Sequence, residues 1–276
     1  MPVQSAIGMR IPGSFFLQNL IERRALLYQL VRRDFQQRYI GSAAGWLWGL
    51  IHPLVLLGSW IFVFQICIQV KLPRGEVTEN YAMFLLCGFL PWLLFQETVQ
   101  RSSASLVEHS GLITKTVFPA EMIPVAIFVS SLIGHLMTLV LVVAAVAVIL
   151  RHFSVMVLLL PLYMLVLGLL AVGVGWLVSS LHVYLRDTAQ VVLVLLTLWF
   201  WLTPIFISEQ MYPPPVRFLL SWNPMAYLVR GYRDRLLSLR LPSLEEFAVP
   251  AALGLAAFVA GGLTFRHLKR GFADIL

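Results

Sequence analysis

The chain has 276 residues, of which 59% are hydrophobic and 12% charged, with a net charge of +7 and a mean hydropathy of +0.85. Soluble domains carry about a quarter charged residues, so a water-soluble globular enzyme is close to excluded, and so is disorder, which needs low hydrophobicity. The positive charge requires no nucleic acid, because basic flanks beside anionic headgroups account for it.

Six stretches contain no Asp, Glu, Lys or Arg: 39–70, 80–96, 122–150, 152–185, 188–208 and 247–265. A helix needs about 20 apolar residues to cross a ~30 Å hydrocarbon core. Each run is near or above that length, and the shortest extends past Glu97 toward Ala104. The expected fold is an all-α integral membrane protein with six transmembrane helices. Residues 41–276 are read as one membrane domain, preceded by a cytoplasmic interface helix within 1–40, because the segments between the runs are too short to be ordinary domains. No cleaved signal peptide is expected, since the first long apolar run begins near Gly41, after six arginines. With the N-terminus in the cytoplasm, the inside segments hold 12 of the 20 basic residues, which is the orientation that the positive-inside rule favours. Six spans return the C-terminus to the same side.

In chain order, residues 14–40 predict an interfacial amphipathic helix. Leu20, Leu27, Val31 and Phe35 recur at helical spacing, with Arg24 and Asp34 interrupting the apolar face. Either a membrane-surface anchor or a helix that touches a cytoplasmic partner fits this pattern. Gly41, Gly45 and Gly49 open the first span as two overlapping small-residue steps on one helical face, suited to close packing within the chain or to a dimer contact. Pro53 predicts a kink in that helix. Glu97, near the end of the second span, is read as a residue snorkelling to water rather than a transport site. The segment from Ser102 to Pro124 mixes Leu112, Ile113, Val117 and Phe118 with Glu108, His109, Lys115 and Glu121, which predicts a short cytoplasmic helix with one apolar face, closed by Pro119. It would lie on the membrane or dock into a soluble subunit.

His135 is the lone titratable group of the third span and is read as hydrogen-bonded packing, since proton relays come as chains. Ala171, Gly173 and Gly175 favour close helix contact in the fourth span. Trp199, Phe200 and Trp201 in the fifth span suit an outer aromatic belt or a stacking surface for sugar rings. The charge-free stretch 218–229 is too short to cross, and with Pro213, Pro214, Pro215 and Pro224 around it predicts a re-entrant or outer-surface helical hairpin. Irregular backbone at membrane depth is tolerated only where it is buried in protein or lines a water-filled cavity, so this segment hints at a translocation path. Cys67 and Cys87 predict neither a disulfide nor a metal site.

No G-x-x-x-x-G-K-[ST], H-E-x-x-H or C-x-x-C occurs, so no phosphate-binding loop or metal centre is expected in this chain. Spans nearly devoid of ionisable residues lack the mid-membrane sites of secondary transporters, and Asp34, Asp187 and Asp234 are too scattered for a membrane transferase. Energy for transport would then come from a partner. An ATP-independent lipid or glycan flippase and a membrane glycosyltransferase are the rival classes.

Several ordered motifs carry a family resemblance. They are Arg32-Arg33-Asp34 followed by Arg38-Tyr39, Gly41-Ser42, Gly45, Trp48 and Pro53; Leu112-Ile113-x-Lys115-x-x-Phe118-Pro119-x-Glu121-x-x-Pro124; Leu185-Arg186-Asp187; and Trp222-Asn223-Pro224 with Tyr232-Arg233-Asp234. From about Leu30 to the C-terminus the chain resembles the permease subunit of ABC-2 type polysaccharide exporters, in the O-antigen and teichoic-acid branch more than the capsule branch. Arginine outnumbers lysine 17 to 3, as in GC-rich genomes, which tips the reading toward a Gram-negative O-antigen exporter in the inner membrane.

The resemblance implies a homodimer paired with two ATP-binding cassette subunits that hold ATP and Mg, with no cofactor and no enzymatic site in this chain. It implies a polyprenyl-pyrophosphate-linked glycan as cargo. Gly111, Leu112, Ile113, Lys115, Val117, Phe118 and Pro119 would form the ATPase-coupling helix. Arg33, Asp34, Arg38, Tyr39, Arg186 and Asp187 would lie at the cytoplasmic interface, and the hairpin after the fifth span would sit near the outer mouth. Trp199, Phe200 and Trp201 are the candidate channel aromatics, and Gly41, Gly45 and Gly49 the dimer or close-packing face.

Overall fold

A computed structural model describes residues 22–38, 45–115, 118–151 and 153–276. All regular structure in them is helical. Helix α1 spans Arg24–Gln37, α2 Trp48–Ile61, α3 Tyr81–Glu108, α4 Ser110–Lys115, α5 Met122–Ile149 and α6 Leu160–Tyr184. Then follow α7 Thr188–Leu202, α8 Pro214–Leu220, α9 Pro224–Leu237, α10 Leu244–Leu268 and the short α11 Phe272–Ile275.

Five helical stretches are long and apolar enough to cross a membrane: α2 with its wider π-type turns to Cys67, then α3, α5, α6 with the 3-10 turn before it, and α10 with the turn to Gly271. The fifth expected span is shorter. Helix α7 is an apolar helix of 15 residues, about 22 Å at 1.5 Å per residue. It stops where the sequence requires. Thr203 precedes Pro204, whose ring disfavours helical backbone at the residue before it, and Thr203 is extended at φ −94°, ψ 134°.

The long helices run antiparallel, so that loops collect at two ends. At one end, called here the α4 end, lie α1, α4, the α6–α7 turn and the C-terminus. At the other, called the hairpin end, Tyr81 donates to the carbonyl of Phe206 (2.9 Å) and the Ser154 hydroxyl donates to the carbonyl of Ser238 (2.5 Å). Helices start there on side-chain caps: Asn80 accepts from the amide of Met83, Asn223 from that of Met225, and Ser243 forms a capping box with Glu246.

Helix α3 is the buried centre, and α5, α6 and α9 pack around it. Lipid tails give helices no hydrophobic reason to associate, so close packing between small residues must. Helices α6 and α10 meet this way: a Cβ on Gly173 would lie 2.5 Å from the backbone of Ala257, and one on Gly261 would lie 2.0 Å from the carbonyl oxygen of Gly173. Gly173, expected to favour close contact, is therefore at the tightest helix crossing.

The first glycine series is arranged otherwise. Gly45 has φ +53° and begins a 3-10 turn, Gly45–Leu47, ahead of α2. Gly45 and Gly49 thus do not share one continuous helical face, while Gly41 and Tyr39 lie outside the described residues. Helix α2 is mostly uncovered, as is α7: Val55, Phe62 and Ile66 on one side and Val194, Leu198 and Trp201 on the other are exposed.

Replacing Gly261 by Val is expected to cost about 2 kcal/mol or more by overpacking. The thermal unfolding midpoint of the purified protein in detergent should fall, while Gly58→Ala, which meets open space in α2, should leave it unchanged.

Candidate functional site

Helix α3 continues to Glu108, past the Ala104 toward which the second apolar run extends, and carries Glu97 and Arg101 into a polar cluster. Arg38 approaches Glu97 at 2.5 Å and Asp34 at 3.5 Å; Arg101 approaches Asp34 at 2.5 Å and Glu97 at 3.9 Å. Arg38 also donates to the Ser131 hydroxyl (2.7 Å), which donates to Glu97 (3.1 Å). Two cations and two anions balance, and the cluster ties α1 to α3 and α5. Glu97 is therefore ion-paired, while its side chain stays 41% exposed. Asp34, which breaks the apolar pattern of α1, is the contact through which α1 docks, while Val31 beside it is buried. Arg33 is exposed, as are Arg186 and Asp187 in the α6–α7 turn, and none of the three joins the cluster.

Next to this cluster opens a cavity of about 350 Å³ between α2, α3 and α5, with Arg38, His52 and Glu97 toward the α4 end and His135 and Thr138 deeper in. His135 Nε2 lies 3.1 Å from the Tyr232 hydroxyl, so this histidine is the hydrogen-bonded packing residue expected of it.

Beyond α3, His109 turns the chain and α4 follows as a six-residue helix. Ile113 and Phe118 pack into an apolar cluster formed by Leu106, Ile123, Trp176, Phe265 and Phe272. Gly111 and Lys115 are exposed, Leu112 is half-buried and Pro119 is buried; Val117 lies outside the described residues. Helix α4 is thus fixed to the bundle through one face and presents the other. At the same end Arg32, Arg33, Arg186, Arg266 and Arg270 are exposed, outnumbering the exposed acids Glu108, Asp187 and Asp274.

At the hairpin end, α7 stops and α10 starts at the same end of the bundle, and α8 and α9 form a hairpin between them. Helix α9 is inserted rather than laid on the surface: Tyr232, Arg233, Asp234 and Arg235 are all buried. Arg233 donates to the carbonyls of Phe84 (3.0 Å), Pro204 (2.7 Å) and Ile205 (2.5 Å), and lies 3.5 Å over the ring of Phe84. Burial lowers its pKa to about 10, opposed by the nearby acids Glu76 and Glu209, so it stays charged at neutral pH. Gly88 makes room for it, since a Cβ there would be 2.5 Å from the guanidinium. Arg235 is fully buried beside Asp234, at 3.9 Å. Ion-paired Glu209 and Arg230, with Glu76 bonded to Ser208, line a polar cavity of about 210 Å³ next to Arg233.

The aromatic residues divide. Trp199 packs on Phe95 (5.0 Å), its indole N–H donating to Asn223 (2.8 Å), and Phe200 packs on Trp92 (5.4 Å). Both serve internal packing. Trp201 stacks on Phe206 (5.3 Å) yet remains half exposed. Phe206 in turn stacks on Phe64 and touches Trp60, fastening α2 to α7. Among the described residues no group of three or more His, Cys, Asp or Glu side chains is placed to hold a metal ion. Cys67 and Cys87 are free. The burial of Arg233 and Arg235 was not legible, because an arginine-rich run reads as a solvated face; the signal available was the apolar residues Leu228, Val229, Tyr232, Leu236 and Leu237 around them in the same helix.

The family model of the ABC-2 type transporters matches residues 25–237. The O-antigen export system permease protein RfbA of Myxococcus xanthus is 26% identical, over 94% of this chain and 98% of that protein. Two proteins of the same name from Klebsiella pneumoniae are 29% and 27% identical, each over 91% of this chain and 95% of its own length.

Replacing Asp34 by Asn should loosen α1. The pairs are partly exposed, so the loss is about 1 kcal/mol. Amide exchange over residues 24–37 should quicken about fivefold in detergent, and Arg33→Ala should leave it unchanged.

Proposed function

Since the chain belongs to the ABC-2 type transporter family, we propose that it is the membrane permease of an ATP-driven exporter of lipopolysaccharide O-antigen, carried on a polyprenyl-pyrophosphate lipid. The family implies an ATP-binding partner, and the relatives named as O-antigen export permeases, matched over nearly their whole length, support the cargo. The observation that carries the reading is α4. It is a short helix anchored on its apolar side by Ile113 and presenting Gly111 and Lys115 to the outside, at the basic end of a chain with no phosphate-binding loop.

On this reading the α4 end is cytoplasmic, in keeping with its exposed arginines, and both termini lie there in the inner membrane. The hairpin end faces outward, and α8–α9 re-enter from that side. Helix α4 seats in a groove of each ATP-binding subunit, and the exposed arginines of α1 lie beside it. Two copies of the permease assemble through the uncovered faces of α2 and α7, with Trp201 directed to the passage between them. Aromatic side chains offer flat apolar faces to the C–H faces of sugar rings, so a chain of sugars slides without sequence-specific recognition. ATP and Mg are held by the partner. When nucleotide binding moves α4, the displacement reaches α5 through Phe118 and Pro119, while the ion cluster of Asp34, Arg38, Glu97 and Arg101 keeps α1, α3 and α5 moving together.

Export should require the ATP-binding partner. In cells or vesicles that hold both subunits, Lys115→Glu combined with Phe118→Ala should reduce glycan export at least tenfold while the permease inserts at normal level. Normal export by that variant, or export without the partner, would overturn the assignment.

A further inference from the structure

Residues 118–121 lead into α5 outside any regular helix, through a single turn in which the amide of Met122 donates to the carbonyl of Pro119 at 2.9 Å. An irregular link of this kind absorbs a push unless something stiffens it. Here it is held from two sides. The Trp176 indole N–H of α6 donates to the carbonyl of Glu121 (2.8 Å). The carboxylate of Glu121, with its side chain 3% exposed, receives the ammonium of Lys269 at 2.6 Å, from the turn that follows α10.

The segment after Lys269 is folded back onto the same place. Gly271 passes under Tyr184, where a Cβ would come within 2.5 Å of the phenol oxygen, and that hydroxyl donates to the carbonyl of Leu268 (2.7 Å). Phe272 is buried at 1% exposure, edge-on to Phe265 at 5.5 Å. It shares its apolar cluster with Ile113 and Phe118, and α11 lies against α4. A tail that served only to touch the lipid surface would turn Phe272 outward. Instead its largest side chain completes the seat of α4. The helices behind this seat, α6 and α10, are the pair locked by Gly173 and Gly261.

We propose that the C-terminal segment Lys269–Leu276 is a clamp that positions α4, with the Glu121–Lys269 ion pair as its latch, so that movement of α4 is transmitted to the α6–α10 pair as well as to α5. The clamp rests on the reading of α4 as the contact for an ATP-driven partner. Glu121 and Lys269 are positioning residues: they touch neither nucleotide nor glycan. Without the latch, α4 still meets the partner and ATP is still hydrolysed, but the link 118–121 yields and part of the movement is lost before it reaches the spans.

The test is a charge exchange in the complete complex, reconstituted in vesicles with its ATP-binding partner. Glycan exported per ATP hydrolysed is measured for the unaltered chain, Glu121→Lys, Lys269→Glu and the double exchange, normalised to inserted permease. The ratio should fall at least tenfold in either single variant and return to within about threefold of the unaltered value in the double variant. Lys269→Met, at a position that is itself 38% exposed, should lower the ratio several-fold when normalised to folded, inserted permease. Full ratios in Lys269→Glu and Lys269→Met would overturn the clamp, and so would a double variant as poor as the singles. Export by the unaltered complex without ATP hydrolysis would instead overturn the proposed function, so the two failures are distinct.

Discussion

One guanidinium makes the hairpin end possible. Backbone carbonyls outside helices have no partner in a bilayer, and each one left bare costs several kcal/mol. When α7 stops at Leu202, the carbonyls of Pro204 and Ile205 face the protein interior, and Arg233 donates to both while also bonding Phe84 of the central helix. The same side chain meets the aromatic ring of Phe84 and fills the space left by Gly88. Arginine suits the task because its fork of five donors is rigid and stays charged. Helix α9, the end of α7 and the start of α3 are therefore one unit, and the position of every hairpin residue depends on it.

The α4 end solves a different problem with different means. The short irregular link before α5 takes the Trp176 indole N–H on its Glu121 carbonyl; what otherwise needs fixing is the placement of amphipathic pieces, α1 and α4, against the ends of long helices. Helix α1 is fixed by a charge-balanced cluster, two arginines against Asp34 and Glu97. Helix α4 is fixed by apolar contact through Ile113 and Phe118. Both leave their outer faces open, which is what a docking surface for another subunit requires.

The parts of this architecture that follow from local chemistry were legible in the sequence. Charge-free runs located the long apolar helices, the prolines and the 12-residue run marked the short helices between α7 and α10, and Leu112, Ile113 and Phe118 marked a helix with one apolar face. Even the early end of α7 is encoded locally, in Pro204. What was not legible depends on contacts between distant residues. Asp34 looks like a flaw in α1 until Arg101, far along the chain, is brought to it. Glu97 looks solitary until Arg38 and Ser131 are brought to it. Gly45 fits a small-residue face in the sequence, yet its backbone takes φ +53° and starts a turn. Trp199 and Trp201 are two residues apart and so lie on different sides of α7, but which side is packed is decided by Phe95 and Asn223 on other elements.

Taken together, the contacts divide the molecule mechanically. Helices α6 and α10 touch backbone to backbone at glycine positions and cannot slide without a clash. Helices α3, α5 and α9 are tied to one another by the hydrogen bond between His135 and Tyr232 and by the Arg233 anchor. Helix α2 has neither device, and α7 is held in this way only at its hairpin end, by the Trp199–Asn223 hydrogen bond and the Arg233 anchor. Their ends are joined by aromatic contacts of Trp60, Phe64, Trp201 and Phe206, which are individually weak and keep their geometry over a range of angles. Any rearrangement of the bundle that spares these anchors must therefore run through α2 and the α4 end of α7. Those are also the helices whose apolar faces the chain leaves uncovered, so the most yielding part of the fold coincides with apolar surface that the chain itself does not bury.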